Sequence, residues 1–416
     1  MLHFNRGLRI LLFGETISGI GTQVTAIALP LTAVLLLGAS TAEIGVLSAA
    51  GPAAFAVCGI AAGAAIDRSA KRRVLVLTNF AAALVLALVP LAFEARVLSL
   101  GLLIAVNFLS SGLAAAEEIA QVSAMPELVA PEALGRANGQ FSAAMAVATI
   151  AGPAAAATLV ALLSAPGAIA VDAVSFAFAA GIMTLLPEMP AVRTDPSQGQ
   201  TLTARLTEGL RTIGADPMLR LVIGLLFVAR CLSAMFVALE AIFIVRRLGV
   251  PPEWFALAFA VGGAGALIGS LAAGAVMAHV KPLPLLGIAL ALAAMARAAM
   301  SMLHGAPLMV AIGFAACLLV TGTVSALIRV SVMSTIQARM PPALMGRVFG
   351  TLSTLMGAVM PLGAMAGGFL GAALGVRSTL MLASLGYMTL ALIIAARMFG
   401  SRSAGSDVTP LPERVE

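Results

Sequence analysis

Charged side chains make up only 10% of the 416 residues, where a typical soluble domain carries about 25%. Polar aromatics are almost missing: one tryptophan, Trp254, and one tyrosine, Tyr387. A soluble globule of this length needs far more polar surface to stay in solution. These shortages exclude a soluble enzyme, a disordered chain and a nucleic-acid-binding domain. Cysteine is scarce too. Cys58, Cys231 and Cys317 all fall inside apolar runs, so no disulfide is expected. The three histidines, His3, His279 and His304, stand apart near predicted helix ends and form no metal-ligand cluster. Lysine occurs only as Lys71 and Lys281, neither preceded by a glycine-rich phosphate loop, so the chain is no P-loop ATPase. No nucleophile–base motif stands out. Neither a metal, a cofactor nor an enzymatic activity is expected.

What is present is apolar helix. Hydrophobic residues make up 61% of the chain and the mean hydropathy is +1.07. A bilayer core of about 30 Å needs about 20 apolar residues of helix. Scanning for such runs predicts twelve spans, near 9–36, 42–66, 73–95, 98–118, 140–163, 167–186, 219–245, 253–278, 283–303, 307–329, 347–374 and 377–399. The basic amino terminus runs straight into the first span with no cleavage-site pattern, so it reads as an uncleaved first helix. The expected fold is an all-α polytopic membrane protein, with twelve transmembrane helices in two pseudo-symmetric six-helix bundles. The expected units are 1–186, a cytoplasmic linker with an interfacial helix over 187–218, a second bundle over 219–399 and a tail over 400–416.

The net charge of +6 is a topology signal rather than a nucleic-acid footprint. Eighteen basic residues fall in the segments on the amino-terminal side of the spans. Four (Arg96, Arg246, Arg247 and Arg377) fall on the other side, and Arg230 and Arg297 lie within spans. The positive-inside rule then places both termini in the cytoplasm.

The chain repeats itself. Pro131-Glu132-Ala133-Leu134 matches Pro341-Pro342-Ala343-Leu344, and Gly135-Arg136 matches Gly346-Arg347. Leu37-Gly38 matches Leu248-Gly249, and Gly63 matches Gly274, at the same spacing of about 211 residues. Two six-helix halves related by duplication are a common build of secondary transporters.

Between spans 2 and 3 lies Gly63-x-x-x-Asp67-Arg68-x-x-Lys71-Arg72-Arg73. Gly63 permits close helix approach. Asp67 supplies an anion able to cap a helix or pair with arginine at the membrane boundary. This segment resembles the loop 2–3 signature of the major facilitator superfamily, and a resemblance to that family implies a conformational switch at Gly63, Asp67, Arg68, Lys71 and Arg72. The copy in the second half has Ala278 in place of the aspartate. Further residues resemble the branch of enterobactin exporters and macrolide efflux pumps. They include Glu15-Thr16-Ile17-Ser18 in span 1, Pro126-Glu127-Leu128-Val129 after span 4, Asp172 with Ser175-Phe176 in span 6 and Gly346-Arg347-Val348 after span 10. Gly152-Pro153 in span 5 is similar to part of the antiporter signature of drug exporters. It reads equally as a kink in a closely packed helix.

Polar residues inside spans are costly, so each suggests a reason for being there. Glu15, Ser18, Thr22 and Thr25 share one arc of span 1 at 100° per residue, flanked by Gln23. Asn107, Ser111 and Glu118 align on span 4, Arg230, Ser233 and Glu240 on span 7, and Thr321, Ser325 and Arg329 on span 10. The resemblance implies that spans 1, 4, 7 and 10 line a central cavity. Candidate cavity residues are therefore Glu15, Gln23, Asn107, Glu118, Asp172, Arg230, Glu240 and Arg329. Plainer roles stand beside these: Glu15 paired with Arg6 or Arg9, Glu240 with Arg246, Asp172 capping span 6, Arg297 snorkelling from span 9, and Glu117 subordinate to Glu118.

The resemblance implies an exporter of an amphipathic small molecule, coupled to protons and working by alternating access. It would act as a monomer in the bilayer of a bacterial cytoplasmic membrane, with no nucleic-acid partner. The alternatives are a facilitator-fold protein that no longer transports but assists membrane assembly or secretion, an uptake carrier, and a lipid flippase.

Overall fold

The computed structural model describes residues 6–67, 69–189, 210–339 and 342–403. Residues 190–209 of the expected linker 187–218, the tail beyond 403 and Arg68 lie outside the described residues, as do the side chains of 59–68, 337–338, 342–350, 353–354 and 399–403. The described residues are helices joined by short turns. In order they are α1 (Arg6–Leu35), α2 (Thr41–Asp67), α3 (Lys71–Glu94) and α4 (Leu100–Leu128), then a continuous helical element Leu134–Met183. After it come α7 (Pro217–Ala241, extended by a π-helical turn Ile242–Arg247), α8 (Pro252–His279), α9 (Pro282–Ser301), α10 (Pro307–Arg339), α11 (Pro342–Leu374) and α12 (Val376–Ser403).

The element Leu134–Met183 is two spans. With its leading 3₁₀ turn it holds 53 residues, and one straight helix of that length would reach about 80 Å, well over twice the bilayer core. Its helical backbone breaks at Ser164, with φ 70 and ψ 171. The part before Ser164 is α5 and the part after is α6, giving twelve spans. Gly152 and Pro153 stay in helical backbone; Ser164 is the residue of this element that leaves it.

Local chemistry explains several helix starts. Ser40 and Glu43 bond reciprocally, Ser40 N–H to the Glu43 carboxylate at 2.7 Å and Glu43 N–H to Ser40 Oγ at 3.3 Å. That is a capping box opening α2. Ser99 caps α4 and Asp216 caps α7 through their side-chain oxygens. Gly38 (φ +63) and Gly249 (φ +69) both take left-handed backbone at the turns after α1 and α7. The repeated Leu-Gly pairs are thus the same structural corner, used once per half.

Large apolar side chains face outward along the spans, among them Leu162 and Leu271 at 75% exposure. Such surface needs lipid around it. Within the first half α1 packs against α5 and α6, α2 against α4, and α3 against α4. Within the second half α7 packs on α11, α8 on α10, and α9 on α10 and α12.

Between halves α2 lies on α11 and α5 on α8. A Cβ built on Gly45 would come within 2.7 Å of Gly368 Cα, so glycine at both positions is what lets α2 and α11 touch by backbone.

The two ends of the bundle differ. Call the end bearing Arg6, Lys71 and Arg339 the basic end. At the opposite end, one apolar core joins both halves, including Leu31, Leu47, Val89, Phe236, Phe243 and Phe314. At the basic end the cores are separate. One, around Leu11, Leu75 and Leu128, belongs to the first half. Another, around Leu219, Leu290 and Ile394, belongs to the second. Among the described residues, the buried core is shared by the halves at one end and divided between them at the other.

Candidate functional site

A cavity of about 300 Å³ lies between the halves. Its walls come from Gln23 on α1, Thr149 and Pro153 on α5, Phe236 and Glu240 on α7, Phe259 and Gly263 on α8, Arg297 and Met300 on α9, and Leu318, Thr321 and Ser325 on α10. A mostly apolar concave wall with a few charged groups is the usual form of a small-molecule site.

Gln23 reaches the wall because α1 and α5 nearly touch beside it. A Cβ on Gly152 would come within 2.4 Å of Gln23 Cβ and 3.1 Å of the Ile20 carbonyl. Gly152-Pro153 therefore gives close approach and cavity wall. The kink expected from its sequence is not a break in the helix.

Glu240 is buried at 6% exposure and lines the cavity. The sequence left open a pairing with Arg246. Instead Arg246 binds backbone at the end of α1 and in the turn after it: Nη2 donates to the Val34 carbonyl and Nη1 to the Ala39 carbonyl. Arg297 does not snorkel outward. Its guanidinium lies 4.5 Å from the Phe236 ring centre and 4.8 Å from that of Tyr387, and Nη2 donates to Ser233 Oγ at 3.2 Å. Its Nε is buried without a partner. The Tyr387 hydroxyl donates to the Ala229 carbonyl at 2.7 Å, which holds that ring in place. No ion pair joins Arg297 to Glu240, although both line one cavity. Sequence reasoning gave Arg297 a plain role; the signal for a larger one was the single tyrosine of the chain, which a helix wheel cannot bring to it.

Other predicted residues go elsewhere. Arg230 is exposed, with Nη2 3.6 Å from Met360 Sδ, and does not line this cavity. Arg329 is exposed and off the cavity as well. Asn107 donates to the Leu47 carbonyl at 2.8 Å, and Gly51 makes room for it and Ser111 on α2. Span 4 was expected to line the cavity, but its polar face is turned to α2 and α3.

Asp172 does not cap α6. It sits well inside that helix and is buried at 1% exposure. Thr25 donates to it at 2.5 Å and Ser175 at 3.0 Å, and Gly21 opens the notch that receives it. Part of the span 1 stripe thus clamps α1 to α6 rather than facing the cavity.

A second polar centre lies in the first half. Glu15 and Glu117 are each buried at 8% exposure and Asn79 at 0%. Asn79 Nδ2 donates to Glu117 Oε1 and to the Leu75 carbonyl. Glu118, the neighbour preferred from the sequence as a cavity residue, is exposed beside them. In the 2–3 segment, Lys71 opens α3 as a buried residue whose Nζ donates to the Ser69 carbonyl, and Arg72 is half-buried. Gly63 and Asp67 fall on α2, their side chains outside the described residues.

A model of the Major Facilitator Superfamily matches residues 11–364, and the chain belongs to that family. It is 27% identical over 410 residues to the multidrug efflux pump Tap of Mycolicibacterium fortuitum, covering 94% of this chain and 96% of that relative. It is 25% identical to the pump of the same name from Mycobacterium tuberculosis, covering 92% and 91%. Among solved structures, a bacterial homolog of the human lysosomal transporter Spinster, inward-facing and unoccupied, superposes with a TM-score of 0.75 at 17% identity, over 95% of this chain and 97% of that one. A bacterial homologue of the iron transporter ferroportin, inward-facing, gives 0.66 at 18% identity, over 94% and 100%. The protein is a multi-pass membrane transporter of the facilitator type.

Proposed function

We propose that the chain is a secondary active exporter of an amphipathic small molecule, driven by inward movement of protons. The observation that carries this reading is the cavity between the halves, walled by both, with one buried core shared by the halves at one end and, among the described residues, separate cores at the other. Alternating access needs such a site, with the seal able to move from one end to the other. The arginine distribution supports assigning the basic end to the cytoplasm. An exporter loads from the interior, and on this reading the end with the divided core faces it. The relatives named multidrug efflux pumps support export as the direction, and the mixture of Phe236, Phe259 and Met300 with Glu240 and Arg297 supports an amphipathic cargo. A bacterial cytoplasmic membrane and a working monomer complete the proposal. The units 1–186 and 219–399 would be the two moving bodies, with 187–218 linking them on the cytoplasmic side and 400–416 as a cytoplasmic tail.

The test is accumulation of macrolides, lipophilic dyes and catecholate siderophores in an efflux-deficient bacterial host. The protein is compared with Asp67→Asn and Glu240→Gln, with and without a protonophore. Lower retention that the protonophore abolishes is the expected result. Unchanged retention of the whole panel, with the protein verified in the membrane, overturns export and favours a membrane partner that does not transport.

A further inference from the structure

We propose that Glu15, Glu117 and Asn79 form the site that holds the coupling cation, a place separate from the cavity that holds the cargo. The inference rests on the transport reading above. It concerns one positive charge on oxygen ligands, supplied by a proton or by a sodium ion.

The three residues come from three helices and meet at one depth. Glu15 lies nine residues from the basic end of α1, Asn79 eight from that of α3 and Glu117 eleven from that of α4. At 1.5 Å per residue these are depths of about 14, 12 and 16 Å. The group is well inside the bilayer, where an isolated carboxylate is costly. Two are present. Glu117 is tied to Asn79, and α1, which carries the buried Glu15, packs against α4.

Among the described residues no salt bridge reaches either glutamate. From α4 come Glu117, Glu118 and, one turn further on, the buried and uncharged Gln121. From α3 come Asn79 and Thr78, whose hydroxyl is bound to its own helix. From α6, Met183 and Ile182 pack against Gly14 just below Glu15. On α1 itself, Arg9 is six residues further down and exposed. Lys71 lies eight residues below Asn79, and its Nζ is turned to the Ser69 carbonyl.

The hydrogen-bond inventory points the same way. Asn79 uses its amide nitrogen on Leu75 and Glu117. That leaves Asn79 Oδ1 and Glu15 Oε1 as buried oxygens with no partner. Both are acceptors, and among the described residues neither has a hydrogen-bond donor. Buried acceptors next to two carboxylates are completed by a proton shared between the acids or by a coordinated cation. A wholly ionised pair would be destabilised whenever the halves closed over it, so the pocket must be filled before the basic end shuts. Glu118, exposed at the adjacent position, gives the ion a route from the open end. The substrate cavity meanwhile holds its own carboxylate, Glu240, on the other half.

The experiment uses the full-length protein in lipid vesicles and follows the protonated-carboxyl stretch by infrared difference spectroscopy across a pH titration. Wild type should show a titrating carboxyl signal that is lost in Glu15→Gln and in Glu117→Gln. It should persist in Glu240→Gln and in Glu117→Asp, which keeps the acid. Sodium added at fixed pH removes the signal if sodium is the coupling ion and leaves it if the proton is. In parallel, binding of ethidium is followed by its fluorescence. Glu15→Gln and Glu117→Gln should bind ethidium as wild type does, yet a pH or sodium gradient should no longer drive its movement. A titrating signal that neither glutamine variant diminishes overturns the site, as does gradient-driven ethidium movement that survives them. If wild type moves no dye at all, the transport reading fails, and the infrared arm still decides whether the pocket holds a cation.

Discussion

Arg246, at the end of α7, donates one guanidinium nitrogen to the carbonyl of Ala39 and another to that of Val34, each at 2.7 Å. The donor belongs to the second half of the protein and both acceptors follow from α1 in the first. The carbonyls at a helix carboxyl end carry partial negative charge, so the arginine acts as a charged cap delivered across the interface. It closes the end opposite the basic one together with the Gly45–Gly368 contact.

Breaking this latch should open that end. Hydrogen bonds to a charged group contribute about 1.5–3 kcal/mol each, so losing two is enough to shift a balanced two-state equilibrium by tenfold or more. Arg246→Ala should lengthen the distance between spin labels at Leu36→Cys and Arg247→Cys, in a background with Cys58, Cys231 and Cys317 replaced. Arg246→Lys should open it partway, because lysine cannot fork onto two carbonyls. Equal distance distributions in wild type and Arg246→Ala would show that the arginine is not a latch.

The corner between α5 and α6 carries strain that its counterpart avoids. Ser164 has φ 70 and ψ 171, a region where glycine alone is comfortable, and 211 residues later Gly375 takes φ 85 at the corner between α11 and α12. Ser164→Gly should therefore stabilise the protein by about 1 kcal/mol, the low end of what such a backbone costs a side-chain-bearing residue. Gly375→Ala should destabilise it by a similar amount. Thermal unfolding in detergent reads both. A lower midpoint for Ser164→Gly would mean that the serine contributes something the backbone geometry does not show.

The fold could be read from the sequence because the bilayer imposes it. A span needs a fixed length of apolar helix, and the loops need arginine on one side. These two demands leave marks in any order of residues. The repeat was legible at Gly38 and Gly249 because a left-handed corner demands glycine. The sites were less legible. In lipid both faces of a helix are apolar, so periodicity does not reveal which face is buried. Hence the pattern does not tell that Glu117 is the buried one of two neighbours pointing 100° apart, or that Asn107 bonds to the Leu47 carbonyl on α2. Arg297 and Tyr387 are 90 residues apart and meet only through the packing of α9 on α12, which no local pattern encodes.

Asp216 links two helices of the second half at the basic end. Its Oδ1 accepts from Met218 N–H at 2.7 Å and Leu219 N–H at 3.1 Å, and its Oδ2 from Arg339 Nη1 at 3.2 Å. Slight burial pushes its pKa up, but the donors from Leu219, Met218 and Arg339 outweigh that, and the net shift is downward. A carboxyl with a lowered folded pKa stabilises above its unfolded value, about 3.9, and this stability is lost as pH falls through the folded value. Asp216→Ala should cost about 1 kcal/mol at neutral pH, mostly through the lost helix cap. Asp216→Asn should cost less, since an exposed ion pair contributes little. The gap between wild type and Asp216→Asn should close below pH 4 in a thermal-unfolding series. A gap that persists in strong acid would assign the effect to something other than the ionised carboxylate.

Arg297 and Glu240 should act in opposite directions on a charged cargo. Both line the cavity, and neither forms an ion pair with the other. A cationic dye such as ethidium is attracted by the carboxylate and repelled by the guanidinium. Glu240→Gln should weaken its binding by about tenfold, the loss of one charge-assisted contact near the low end of its range. Arg297→Gln should strengthen it or leave it unchanged, and an anionic dye should show the reverse order. Arg297→Lys separates charge from shape. It keeps the positive charge but gives up the flat stacking on Phe236 and Tyr387, which contributes about 2 kcal/mol when desolvated. It should therefore lower the unfolding midpoint while keeping the charge preference. If ethidium binding falls equally in Glu240→Gln and Arg297→Gln, the two residues work as one structural unit, and the cavity does not discriminate its cargo by charge.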